Sequence, residues 1–191
     1  MKNPGILNLM LIAAMAACSA CGKSETAAPA PQEPAAPQRT ITATVKADKV
    51  DLSYARKGTY FKLPNANGGE LDLAAYSGKP VLMMFFTENC SYCRKAAPFI
   101  QSMHKTYSPK GLNTVGICLS DTADSPKAFA KDMGLTFPLA YKGEHTFITY
   151  KAQGVPFIYL LDKSHEIQKV WGGYDSYFDR EIIENIEKSL K

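Results

Sequence analysis

The stretch that decides the fold is residues 81–99, which read VLMMFFTENCSYCRKAAPF. Its first six residues are apolar and contain no glycine, which predicts a short strand covered on both faces. Residues 91–107 follow with a helical pattern, in which Pro98 is a kink point. The chain therefore passes from a buried strand into a helix, and two cysteines, Cys90 and Cys93, lie at that junction.

The placement of Cys90 and Cys93 suits redox chemistry. A separation of two residues across the first helical turn brings the sulfurs close enough to bridge, with the first facing outward and the second shielded. The free amides and partial positive charge of a helix N-terminus stabilise a thiolate and lower the pKa of the first cysteine. Arg94 and Lys95 add positive charge nearby. We therefore expect Cys90 to attack a disulfide and Cys93 to resolve the mixed disulfide that forms.

A zinc site is the alternative for a CxxC pair, but such a site needs further Cys or His ligands at suitable spacing. Cys118 stands alone in an apolar stretch, where a free cysteine is usually a small core residue. The histidines are scattered along the chain, at His104, His145 and His165. We therefore expect neither a metal nor a cofactor.

The flanking sequence predicts an α/β domain. Residues 60–63 and 70–73 flank an Asn- and Gly-rich turn, as in a β-hairpin. Strands joined by helices and closed by an antiparallel pair give a mixed central sheet with helices on both faces. The other predicted elements are an edge strand at 41–45, a helical turn at 74–77, a buried strand at 113–119, a helix at 124–133, an antiparallel strand pair at 157–161 and 166–171, and a last helix that Ser176 caps.

Two motifs resemble the thioredoxin-fold superfamily. Cys90-Ser-Tyr-Cys93-Arg-Lys-Ala-Ala-Pro98 matches its CxxC followed by proline, and Val155-Pro156 matches the position of its cis-proline. The hairpin and an insertion between Asp121 and Pro138 are similar to the TlpA/ResA branch of extracytoplasmic thiol-disulfide oxidoreductases. Over about residues 60–191, the resemblance implies a three-layer thioredoxin-like fold with an N-terminal β-hairpin extension.

The resemblance also implies roles for residues near the cysteines. A cis bond before Pro156 leaves the amide and carbonyl of Val155 free to bind an extended substrate. Met84 stands where thioredoxin buries an acidic residue, so Glu88 becomes a candidate for proton transfer. The implied activity is that of a reductase of oxidised proteins, kept reduced by a DsbD- or CcdA-like membrane electron carrier.

Other functions stay open at this point. Tyr92 resembles the residue that disulfide isomerases carry, which favours an oxidase or isomerase. Thr87 and Cys90 match part of the peroxiredoxin motif, although Met83 replaces its proline. A non-catalytic copper chaperone is the last alternative, although copper-handling relatives use CxxxC with a distal histidine.

Composition argues against several other classes of protein. The 191 residues carry 22 basic and 18 acidic side chains without a basic cluster, which argues against nucleic-acid binding. No apolar run reaches the length of about 18 residues that a retained membrane span requires. The 5 cysteines are too few for a disulfide-stapled miniprotein.

The N-terminus has the layout of a bacterial secretory signal, with a positive Lys2, a short apolar segment at 6–17 and small residues after it. Met15-Ala16-Ala17-Cys18 resembles the lipobox of bacterial lipoproteins, whose cysteine becomes the first mature residue and carries acyl chains. Cys21 is the second candidate for lipidation, and simple secretion is the alternative to lipidation.

These features divide the chain into three parts: a lipoprotein signal peptide at 1–17, a lipidated Ala/Pro-rich linker at 18–39 and a thioredoxin-like domain at 40–191. The prolines of the linker favour an extended path that holds the domain clear of the lipid surface. Ser19 after the lipidated cysteine resembles outer-membrane sorting, so the expected location is the periplasm, on the outer membrane.

Lipid attachment at Cys18 predicts that Cys18→Ala abolishes acylation and releases the protein from the membrane fraction, because the acyl chains are the anchor. Cys21→Ala is the matched control and should stay in the membrane fraction. Fractionation combined with mass spectrometry of the N-terminal peptide measures both. A Cys18→Ala protein that is still acylated moves the site to Cys21.

Overall fold

The computed structural model describes residues 58–191, which lie within one compact unit. The predicted signal peptide, the lipidation candidates Cys18 and Cys21, the linker and the strand at 41–45 lie outside the described residues. Within residues 58–191, no helix has both the length and the apolar character needed to cross a membrane.

A β-hairpin precedes the main sheet. Strands β1 (Lys62–Pro64) and β2 (Glu70–Asp72) pair antiparallel, with Gly68 and Gly69 at positive φ in the turn between them. The turn is tied to the rest of the domain by the amide of Ala66, which donates to the Leu139 carbonyl at 2.8 Å. The predicted hairpin extension is confirmed, and the predicted helical turn after it is a 3₁₀ turn at Leu73–Tyr76.

Five strands form the central sheet: β3 (Val81–Phe86), β4 (Asn113–Cys118), β5 (Leu139–Ala140), β6 (Phe157–Leu161) and β7 (Ile167–Gly172). Their order is β5-β4-β3-β6-β7. β3 runs parallel to β4 and antiparallel to β6, and β6 runs antiparallel to β7. The sheet is therefore mixed, as predicted.

Strand β3 is the centre of the domain, since all six of its side chains are fully buried. Side chains alternate between the two faces of a strand, which explains the continuous apolar run. Leu82, Met84 and Phe86 pack into one core cluster, and Val81, Met83 and Phe85 pack into another.

Helices cover both faces of this sheet. They are α1 (Ser91–Tyr107), α2 (Asp124–Met133), α3 (Glu144–Thr149) and α4 (Asp179–Ser189). Residues from α1, α2 and α4 pack with the Met84 side of β3. Phe147 of α3 and the hairpin pack with the Phe85 side. α1 and α2 have the predicted bounds, and α2 ends at Gly134 with φ of 63°.

The last helix differs from its prediction. Ser176 was expected to cap it, but this is wrong: Ser176–Phe178 form a 3₁₀ turn, and α4 begins at Asp179. Asp175 caps that turn, because its side chain accepts a hydrogen bond from the Tyr177 amide at 3.1 Å. Asp175 therefore caps the 3₁₀ turn that leads into α4, whereas the N-cap residue of α4 itself is Phe178, which makes no side-chain capping hydrogen bond.

Gly143 holds α3 close to the end of β4, which predicts a cost for any side chain there. A Cβ on Gly143 would lie 2.8 Å from the Cys118 carbonyl oxygen and would also collide with Ile117. We expect Gly143→Ala to lower the free energy of unfolding by about 1–3 kcal/mol, because rigid backbone must move.

Gly58→Ala is the control for this prediction, because a Cβ at Gly58 meets nothing within 4 Å. Urea unfolding of both variants measures the difference. Equal stability of the two variants would contradict the close packing of Gly143.

Candidate active site

The turn after β3 places Cys90 at the N-terminus of α1. The Cys90 amide donates to the Thr87 carbonyl at 3.3 Å, which closes the turn. Cys90 then occupies the N-cap position, and its Sγ accepts a hydrogen bond from the Cys93 amide at 3.0 Å. An amide that points at this sulfur is the group that would stabilise a thiolate there.

Cys90 and Cys93 form a disulfide, with 5.2 Å between their Cα atoms. Cys93 is fully buried in the core cluster of α1. Cys90 is partly exposed at the end of the helix. The two cysteines therefore differ in exposure, and only Cys90 is accessible from solution.

A distant segment completes the site. The Val155–Pro156 peptide bond is cis, as the resemblance implied, and the Val155 carbonyl oxygen lies 3.5 Å from Cys90 Sγ. Within residues 58–191, the amide and carbonyl of Val155 make no backbone–backbone hydrogen bond. The Pro156 carbonyl accepts from the Gly173 amide at 2.9 Å, which fixes the loop. The fold thus brings an open backbone edge against the disulfide.

Comparison with known proteins places this arrangement in a family. The AhpC/TSA family matches the chain over residues 55–183. The chain belongs to the AhpC/TSA family.

Within the AhpC/TSA family, the chain is similar in sequence to thiol-disulfide oxidoreductases. It is 27% identical over 122 residues to thiol-disulfide oxidoreductase ResA of Bacillus thuringiensis (strain Al Hakam), covering 63% of this chain and 70% of the relative. With its CxxC disulfide at a helix start, the chain is a thiol-disulfide oxidoreductase of the ResA type.

Solved structures share the thioredoxin-like fold. A proposed thiol:disulfide interchange protein DsbE from Chlorobium tepidum superimposes with a TM-score of 0.65 at 24% identity, covering 69% of this chain and 94% of that one. A proposed protein disulfide isomerase from Bacteroides thetaiotaomicron gives 0.61 at 26% identity, covering 69% and 86%. The fold predicted from the sequence is therefore confirmed.

Glu88 is half-buried in the turn after β3. Within the described residues no hydrogen bond joins it to Cys90 or Cys93, so its role in proton transfer stays a prediction. Burial raises the pKa of the Cys118 thiol, and the Glu88 carboxylate raises it further. Cys118 is a buried free cysteine, as expected of a core residue.

The two basic residues after Cys93 make contacts with other side chains. Arg94 forms an ion pair with Asp132 of α2 at 3.1 Å, and its guanidinium lies 5.7 Å from the centre of the Phe129 ring. Lys95 lies over the ring of Tyr92, with Nζ 4.9 Å from its centre. The sequence correctly predicted positive charge near the cysteines, but the charge of Arg94 is paired with Asp132 in a contact between α1 and α2.

An open groove of about 430 Å³ adjoins the site and is lined by Tyr92, Val155 and Pro156, among other residues. The end of β7 and the segment after it also line the groove, with Gly172, Gly173, Tyr174, Asp175, Tyr177 and Phe178. We call this space the aromatic groove. The role of residues 172–178 in this groove could not be predicted from the sequence, because only the fold places them beside Pro156. Aromatic residues following a Gly-Gly pair were the available signal.

Selective alkylation tests the difference in access. In the reduced protein, iodoacetamide should modify Cys90 at least about tenfold faster than Cys93, because a stabilised, accessible thiolate is the reactive species. Timed quenching and mass spectrometry of the cysteine peptides give the rates. Cys118, fully buried and with its pKa raised, is the internal control for unfolding. Faster modification of Cys93 would reverse the two roles.

Proposed function

We propose that this enzyme reduces disulfides in proteins outside the cytoplasm, with Cys90 and Cys93 as its catalytic dithiol. One observation carries the proposal: Cys90 Sγ caps an exposed helix terminus beside the open backbone of Val155, and Cys93 lies buried behind it. A small reducing agent needs no such backbone edge, whereas a polypeptide substrate does.

The reaction is two successive thiol–disulfide exchanges. The Cys90 thiolate attacks one sulfur of the substrate disulfide, which forms a mixed disulfide and releases the other substrate sulfur as a thiolate. Cys93 then loses its proton and attacks Cys90 Sγ, which releases the second substrate thiolate. Two electrons pass to the substrate, its two thiolates take up protons, and the enzyme is left as the Cys90–Cys93 disulfide.

Val155 and Pro156 are the proposed substrate-binding residues. An extended substrate segment would pair with the amide and carbonyl of Val155, which no other described backbone group uses. The Val155 carbonyl lies 3.5 Å from Cys90 Sγ, so a segment paired there presents its own sulfur to the nucleophile. The backbone, which is the same for every sequence, would then supply affinity for many substrates.

Proton transfer in the second exchange is assigned to Glu88. Cys93 must lose a proton before it attacks, and its burial disfavours the thiolate. Glu88 is a half-buried carboxylate in the turn that leads to Cys90. Glu88→Gln should therefore slow the release of substrate from the mixed disulfide more than its formation.

Location and electron supply belong to the same proposal. The lipobox-like Met15-Ala16-Ala17-Cys18 supports a lipid anchor, and Ser19 supports the outer membrane of a periplasmic space. The oxidised enzyme must regain two electrons before another turnover. A DsbD- or CcdA-like membrane carrier is the proposed donor, by resemblance to the TlpA/ResA branch.

A disulfide oxidase is the second candidate, because the same sulfurs catalyse exchange in either direction. Tyr92, between the cysteines, is 57% exposed beside Cys90, where a substrate would meet it. Residues of this pair tune how strongly the dithiol form is stabilised. The reduction potential therefore separates the two directions.

We expect the Cys90–Cys93 couple to equilibrate with glutathione at a potential near that of thioredoxin, about −270 mV, as a reductase requires. Mass spectrometry of alkylated samples at defined glutathione ratios gives the value. Cys118→Ala should not change it, whereas Cys90→Ser should remove the transition. A potential near that of DsbA, about −120 mV, would assign the enzyme as an oxidant instead.

A further inference from the structure

The aromatic groove beside the disulfide has a distinctive chemistry. Its walls include the rings of Tyr92, Tyr174 and Tyr177, and Tyr177 is 73% exposed. Asp175 is the only charged residue among those that line it. Aromatic faces and a carboxylate both attract cations, and no lining residue supplies a positive charge.

Two of the residues that line the groove are glycines. They are Gly172 and Gly173, and Gly173 has φ of 92°, a conformation that other residues rarely adopt. A Cβ on Gly172 would lie 3.1 Å from the ring of Phe157. Gly172 thus makes room for the Phe157 ring, and neither glycine adds a side chain to the groove beside Pro156.

The carboxylate of Asp175 is held in place but not neutralised. Its Oδ1 accepts from the Tyr177 amide at 3.1 Å. Among the described residues, no lysine, arginine or histidine forms an ion pair with it. Tyr174 is held too, because its hydroxyl donates to Asp179 at 2.9 Å. The ring and the carboxylate are therefore fixed before any ligand arrives.

The molecule already contains a cation on one of these rings. Lys95 Nζ lies 4.9 Å from the centre of the Tyr92 ring, within the range of a cation–π contact. Lys95 therefore already occupies the Tyr92 ring, which leaves the rings of Tyr174 and Tyr177 and the carboxylate of Asp175 for a cation from another molecule.

We propose that the aromatic groove binds a lysine or arginine side chain of the substrate protein, a few residues from the disulfide that Cys90 attacks. This inference rests on the proposed function and specifies its substrate class. Pairing with Val155 sets the direction of the substrate segment, and Asp175 with the tyrosine rings receives the cation beside it. The preferred substrates are disulfides with a basic residue nearby.

Peptide disulfides that differ at a single position test the proposal. Three peptides carry lysine, norleucine or glutamate two residues from the oxidised cysteine and are otherwise identical. The rate constant of exchange with the reduced full-length chain is measured for each. We expect lysine to react fastest and glutamate slowest, with about a tenfold spread, as cation–π and exposed ionic contacts allow.

Asp175→Asn isolates the charge, since asparagine retains the capping oxygen. In this variant, the ratio of the lysine rate to the norleucine rate should fall towards one. Asp72→Asn is the matched control: Asp72 caps the Leu73–Tyr76 turn in the same way, accepting from the Ala74 amide at 2.8 Å, but does not line the groove. Its ratio should match that of the unmodified protein.

High salt provides a test that needs no variant, because it should reduce the preference for lysine over glutamate. Equal rates for the three peptides, or a lysine preference that Asp175→Asn leaves intact, overturn the proposed cation site. A norleucine preference overturns it in favour of an apolar ligand. Failure to exchange with any of the peptides is a different result, because it removes the proposed function itself.

Discussion

The burial of β3 on both faces is the constraint on which the rest of the structure depends. Its alternating side chains belong to two separate cores, so the strand cannot shift along its axis without disrupting both. The turn from Thr87 to Cys90 is consequently fixed where the strand ends. This position leaves Cys90 partly exposed at the N-cap of α1 and makes Cys93 the first fully buried residue of that helix.

The proposed function combines two kinds of recognition. Cys90 and the Val155 backbone would recognise features common to all disulfide-bonded polypeptides. The loop after β7 would instead recognise side chains, which differ between proteins. Because that loop is anchored through the Gly173 amide to Pro156, the two parts keep a constant spacing. Substitutions in the loop after β7 could then change which substrates are selected without changing the chemistry at Cys90.

The sequence predicted those parts that are governed by local patterns. The bounds of α1 and α2, the buried β3 and the hairpin all follow from periodicity and turn residues, and the CxxC motif correctly predicted the two cysteines that form the disulfide. β5 has two residues and α3 six, which is too short for a pattern to register, so both escaped prediction. The groove residues escaped for a different reason, because only the pairing of β6 with β7 brings Gly172 opposite Phe157.

Cys118 gives the domain a problem of selectivity among its own thiols. An unfolded chain with Cys90, Cys93 and Cys118 can form a disulfide between any two of them, and only one pairing matches the folded site. Cys118 pairs in register with Phe86 and is fully buried in the folded domain. Folding therefore withdraws the third thiol of residues 58–191 and leaves Cys90 and Cys93 as the pair that can bond to each other there.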